Sequence, residues 1–142
     1  MKNDTLAYEV RASRCQFKND GISLLVNIGA DMKSSEESVK LAEKYDFIYA
    51  SVGVHPCDTE NLTDDDILTL EKLAQHEKVV AIGEIGLDYY WNDNKDVQKH
   101  YFRAFIDLAY KYNLPICIEN PSEKAMHITV QIRLCRPLFI IL

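Results

Sequence analysis

The chain has 142 residues, 47% of them hydrophobic and 27% charged, a balance that excludes a disordered polyelectrolyte and suits one globular domain. Its net charge of −6 excludes a broad basic face that would hold nucleic acid by neutralising phosphates. The opening MKNDTLAYEV lacks the basic start and apolar core of an export signal, and no apolar run approaches the roughly 20 residues of a membrane span, so no membrane partner and a cytoplasmic location, or a nuclear one in a eukaryote, are expected. Cys15, Cys57, Cys117 and Cys135 are scattered without C-x-x-C spacing. They read as reduced thiols rather than a structural zinc site.

In chain order, the periodicity gives three strand-then-helix cycles. ISLLVNI, from Ile22 to Ile28, is strand-like, and the following SSEESVKLAEKY predicts a helix with Ser34 as N-cap and Glu37 as its capping-box partner. FIYASVGV, from Phe47 to Val54, predicts the second strand. Thr63 then caps a helix whose Ile67, Leu70, Leu73 and Ala74 share one stripe, with Leu62 packing on Ile67 as a hydrophobic staple. VVAIGEI opens the third cycle as a strand buried on both faces. A long helix follows, with Val97, Tyr101, Phe105, Leu108 and Tyr112 at helical spacing, ending near Asn113 before Pro115. LPICI begins a fourth strand. Strands alternating with helices argue for right-handed parallel βαβ units in an α/β sheet or barrel.

Asn27, His55, Glu84 and Glu119 each fall at or just past the C-terminal end of a predicted strand, the rim where α/β sheets and barrels bind ligands. Each also has a plainer reading. Glu84 sits between Gly83 and Ile85 where burial penalises a charge, so it needs a cation, a donor or water. His55, before Pro56, reads equally as a loop residue fixed in a rigid turn. Asp88 reads more readily as a backbone hydrogen-bond acceptor than as a catalytic group. Tyr89, Tyr90 and Trp91 either stack on nucleobases or pack the rim, packing being the more frequent fate. His76, His100 and His127 carry no assigned role.

Four segments, VNIGAD (Val26 to Asp31), SVGVHPCD (Ser51 to Asp58), GEIGLDYYW (Gly83 to Trp91) and QKHYFRAFIDLAYKYNLPICI (Gln98 to Ile118), together resemble the TatD family of metal-dependent hydrolases. The likeness covers about Gly21 to Ile118. It implies a partial (β/α)8 TIM barrel, roughly its first half, with parallel strands and flanking helices. It also implies divalent metal at the rim, Mg²⁺ or Mn²⁺ with Zn²⁺ as an alternative, and hydrolysis of DNA phosphodiesters. Glu84 corresponds in this resemblance to a carboxylate bridging two metals about 4 Å apart that clamp the attacking and leaving oxygens. His55 becomes an active-site neighbour, and no catalytic residue is assigned.

The departures matter as much. The family opens with D-T-H-x-H, whereas this chain reads DTLAY, so Leu6 and Tyr8 stand where two imidazoles would bind metal. The fourth strand ends in IENP, which places Glu119 where the family has a histidine; a carboxylate there remains a candidate ligand for Mg²⁺ or Mn²⁺. After Pro121 the likeness stops, giving an expected division into a TatD-like domain at 1–120 and a divergent tail at 121–142, with alternation in HITVQIRLC and an apolar PLFIIL end. These features lead to three expectations: an impaired hydrolase with weakened metal binding, a non-catalytic fragment that pairs with another chain as the alternative, and self-association through open sheet edges.

Overall fold

The computed structural model describes residues 19, 21, 23–119 and 139–141. The opening DTLAY segment and the strand expected over HITVQIRLC lie outside the described residues. Among the described residues five strands form one sheet in the order β1 (Leu25–Ile28), β2 (Ile48–Val52), β3 (Val79–Gly86), β4 (Ile116–Glu119) and β5 (Phe139–Ile141), and every neighbouring pair is parallel. The helices α1 (Met32–Lys44), α2 (Asp64–Ala74) and α3 (Lys95–Tyr112) alternate with β1 to β4. A 3-10 helix at Pro56–Asn61 lies between β2 and α2. The expected βαβ cycles are all present.

The first helix starts earlier than its sequence suggested. Asp31, in extended backbone, is its N-cap: its carboxylate accepts from the Ser34 N–H at 2.6 Å, and Ser34 Oγ accepts from the Asp31 N–H at 2.9 Å. Ser34 is therefore the returning partner of a capping box rather than its first residue, and Glu37 lies outside it. The second helix starts as expected, with Thr63 and Asp66 satisfying each other's backbone donors. The third ends on Asn113 in left-handed backbone, φ 53°, a conformation asparagine tolerates better than most residues.

The core sits between the helices and the face of the sheet they cover. Ile48, Val52, Ile82, Ile85 and Leu70 are fully buried, joined from α3 by Phe102, Phe105 and Leu108. Phe105 alone, truncated to alanine, is worth about 3–5 kcal/mol. β3 is buried along nearly its whole length, as its unbroken apolar run required. β1 differs: it is shorter than the predicted Ile22-to-Ile28 run, and Val26 is exposed, with β2 as the one neighbour of β1 among the described strands. The apolar end of the tail also meets the sheet, since β5 pairs with β4 in the register Ile116 with Phe139 and Ile118 with Ile141.

The sheet curls sharply at its C-terminal ends. Neighbouring strands lie about 4.8 Å apart, so in a flat sheet β1 and β3, with β2 between them, would stand about twice that distance apart. Instead the Glu84 N–H donates to the Gly29 carbonyl at 2.8 Å. Glycines permit this closure. A Cβ on Gly53 would fall 2.7 Å from the Gly83 carbonyl carbon, and one on Gly83 would fall 2.4 Å from the Cys117 carbonyl oxygen. Among the described residues the strands thus form a curled half-barrel, with no helix long and apolar enough to cross a membrane.

Candidate functional site

Glu84 lies near the C-terminal end of β3, half-buried. Its backbone is fixed from both sides. Ser51 Oγ on β2 donates to the Gly83 carbonyl at 2.7 Å, and the Glu84 N–H is held by Gly29 after β1. Ser35 at the start of α1 completes the shelf, its hydroxyl donating to the Gly53 carbonyl at 2.8 Å and accepting from the Gly53 N–H at 3.1 Å. Two small hydroxyl side chains thereby bond backbone groups at the strand ends. Cys117 on β4 is buried nearby: burial first, and the Glu84 carboxylate second, push its thiol above the ordinary range, so it stays protonated.

His55 follows β2 and caps the 3-10 helix. Its Nδ1 accepts the Cys57 N–H at 3.1 Å, and its own N–H donates to the Ala30 carbonyl at 2.7 Å. It stands at the C-terminal end of the sheet, as expected, with one ring nitrogen committed to the turn. Asp88, 2% exposed, is a backbone acceptor. Its Oδ1 accepts from the N–H groups of Tyr90 at 2.9 Å and Trp91 at 3.4 Å, and its Oδ2 from the Cys57 thiol at 3.3 Å.

Asn27 does not join this mouth. Its amide donates to Ser38 Oγ on α1 at 2.7 Å, so it ties strand to helix on the outer face, as the alternation of strand side chains dictates. Glu119 ends β4 opposite Gly86, and its side chain lies outside the described residues. Gln98 is a residue that sequence reasoning missed. Fully buried on α3, its amide nitrogen donates to the carbonyls of Asp88 at 2.9 Å and Asn92 at 3.3 Å, while its oxygen accepts from the Asp88 N–H at 2.8 Å. Its place one helical turn before Tyr101 on the buried stripe was the available signal.

Residues 89–91 divide between the two fates open to them. Tyr89 packs against the core, its hydroxyl buried without a partner among the described residues, and burial followed by the charge of Asp96 raises its pKa. Tyr90 and Trp91 point out, 75% and 77% exposed, with ring centroids 4.8 Å apart and planes at 83°.

The donors described do not by themselves fit a metal ion. Among the described residues no three His, Cys, Asp or Glu side chains are grouped to hold one. The Asp88 oxygens are engaged by backbone and thiol, and one His55 nitrogen by the turn. Glu84 contributes a single carboxylate.

A parallel α/β half-barrel with a carboxylate at the rim defines the class. The family model for TatD related DNase matches residues 2–133, and the chain belongs to that family. It is 45% identical over 114 residues to an uncharacterized metal-dependent hydrolase, YabD, of Bacillus subtilis (strain 168), covering 80% of this chain and 45% of that protein. It is 34% identical over 97 residues to the 3'-5' ssDNA/RNA exonuclease TatD of Cronobacter sakazakii, covering 68% of this chain and 37% of the other. The crystal structure of the TatD homolog YJJV from Escherichia coli K12 superposes with a TM-score of 0.75 at 27% identity, over 86% of this chain and 49% of that one. The fold is thus a partial TIM barrel, and the chain spans less than half the length of these curated relatives.

Proposed function

We propose that this chain is a TatD-type hydrolase unit acting on DNA phosphodiesters, impaired as it stands, with Glu84 as its retained metal-binding carboxylate. The observation that carries the reading is Glu84 itself. A half-buried carboxylate at the end of a central strand, with its backbone clamped by Ser51 and Gly29, stands at the rim where barrels of this kind place their chemistry. Support comes from the relatives, one named as a metal-dependent hydrolase and one as an exonuclease on single-stranded DNA and RNA. Glu119 is the second proposed ligand, for Mg²⁺ or Mn²⁺ with Zn²⁺ as the alternative, and His55 neighbours the site. Residues 1–120 form the hydrolase-like domain in this reading, 121–142 flank it, and the protein works in the cytoplasm, or in a eukaryotic nucleus.

Impairment is proposed because Leu6 and Tyr8 replace two imidazoles and the described donors do not group into a metal site. The test is hydrolysis of single-stranded DNA with Mg²⁺ or Mn²⁺, with Glu84→Ala as control. Slow cleavage abolished in the variant is expected; equal cleavage by both proteins would trace the activity to a contaminant. Calorimetric titration with Mn²⁺ separates metal binding from turnover: weak binding is expected, strengthened by Leu6→His with Tyr8→His. Tight binding at two sites in the unaltered chain would contradict it.

The second reading is a non-catalytic unit that pairs with another chain. It is favoured, among the described residues, by the lack of a grouped donor set and by strands β1 and β5, which do not pair with each other. Self-association through those edges is then expected in light scattering after gel filtration. A monodisperse monomer at every concentration would argue against it.

A further inference from the structure

Tyr90 and Trp91 are the most exposed large apolar side chains among the described residues, yet the backbone that carries them is hydrogen-bonded to a buried side chain. One buried carboxylate, Asp88, accepts both of their N–H groups, and the buried Gln98 amide holds Asp88 and Asn92 on either side. A loop whose rings merely escaped packing would not need this scaffold. The neighbouring Tyr89 shows the alternative, turned inward against the core. The two exposed rings stand nearly perpendicular in the loop that leaves the strand bearing Glu84. Flat aromatic surface on a fixed backbone suits an unpaired nucleobase, because stacking needs a π-face and no particular base. It also suits the charge of this chain: a net −6 offers little general attraction for phosphates, so contacts to bases have to supply much of the binding.

We infer that Tyr90 and Trp91 form a stacking platform for an unpaired base of single-stranded nucleic acid, placed to hold the strand beside the rim. This deepens the proposed function and rests on its choice of substrate. Single-stranded substrate is required, since the bases of a duplex are stacked on each other.

Trp91 is the single tryptophan of the chain, so its fluorescence reports on this loop without any need for turnover. The experiment titrates the whole protein, in EDTA, with a ten-residue oligothymidylate, with a duplex of the same length, and with an abasic oligomer of equal charge. Quenching by oligothymidylate alone is expected. Tyr90→Ala should weaken that binding by about 5- to 150-fold, the range for loss of one stacking partner. Trp91→Ala, followed by anisotropy of a labelled oligomer, should do the same, and Trp91→Phe should recover most of it. Circular dichroism checks that each variant folds. Equal quenching by the abasic oligomer, or none by oligothymidylate, would overturn the proposal. So would a Trp91 spectrum that responds to protein concentration alone, which would assign the rings to contact between copies. Quenching without any nuclease activity would retain the platform and refute the hydrolase reading. Nuclease activity with KM unchanged in both alanine variants would do the reverse.

Discussion

Gln98 and Asp88 exchange two hydrogen bonds across the start of the rim loop, the Gln98 amide reading both the N–H and the carbonyl of Asp88, at 2.8 and 2.9 Å, as a neighbouring strand would. Both residues are buried, so water cannot replace either bond. Gln98→Leu keeps the volume and orphans both backbone groups. The expected cost is about 2–4 kcal/mol, from two unsatisfied buried groups, measured by urea unfolding. Because Asp88 in turn fixes Trp91, the steady-state anisotropy of Trp91 should also fall. A variant as stable as the parent would mean that the loop finds other partners.

Gly83→Ala should be among the most damaging small substitutions. Its Cβ would lie 2.4 Å from the Cys117 carbonyl oxygen, a backbone atom that no rotamer change can move. Overpacking against backbone at the curled sheet end is expected to cost about 3 kcal/mol or more, seen as a lowered thermal midpoint. Cys117→Ala in the same chain should not restore it, since the offending oxygen remains.

Asp31→Ala removes the side-chain half of the first helix cap and should cost about 1 kcal/mol. Glu37→Ala, which the sequence alone had marked as the cap partner, should fall within about 0.5 kcal/mol of the parent. Chemical denaturation of the two variants side by side decides the register of the cap.

Glu71 joins two helices by accepting from Lys111 Nζ and, at 2.7 Å, from the Tyr112 hydroxyl. The Lys111 bond first, then the Tyr112 bond, holds its carboxyl below the ordinary glutamate range. A carboxyl with a depressed folded pKa stabilises above its unfolded value, near 4.3, and loses that contribution as pH falls through the folded one. The acid limb of the stability profile should therefore be shallower in Glu71→Gln, by a small amount because the group is near solvent. Identical limbs in both proteins would show the contact to be energetically silent.

The order of elements was legible because each strand and helix carries its own period and caps. Thr63 and Asn113 act where their residue types placed them, and the Val79 run is the buried central strand its composition required. The first cap was misread by three residues because Ser34 suits either end of the box; only the extended backbone at Asp31 decides between them. Asn27 shows a different limit. Its place at a strand end was readable, but the face it presents depends on pleat and register, which put it against Ser38. Asp88 was correctly read as a backbone acceptor, whereas for Gln98 the stripe position shows only burial, and its main-chain partners cannot be read from side-chain pattern. Tyr90 and Trp91 could not be sorted from Tyr89 by composition, as all three are equally fit to pack.

The spatial order of β1 to β4 repeats their order along the chain. No strand among these four is inserted between two that were already neighbours. Each new strand therefore finds a complete docking edge as soon as its connecting helix has been made, and the entropy of closing each such loop grows only slowly with its length. During synthesis at about 5–20 residues per second, β2 can settle on β1 before α3 exists. The topology thus permits assembly in the direction of translation, one strand at a time, with nothing to undo.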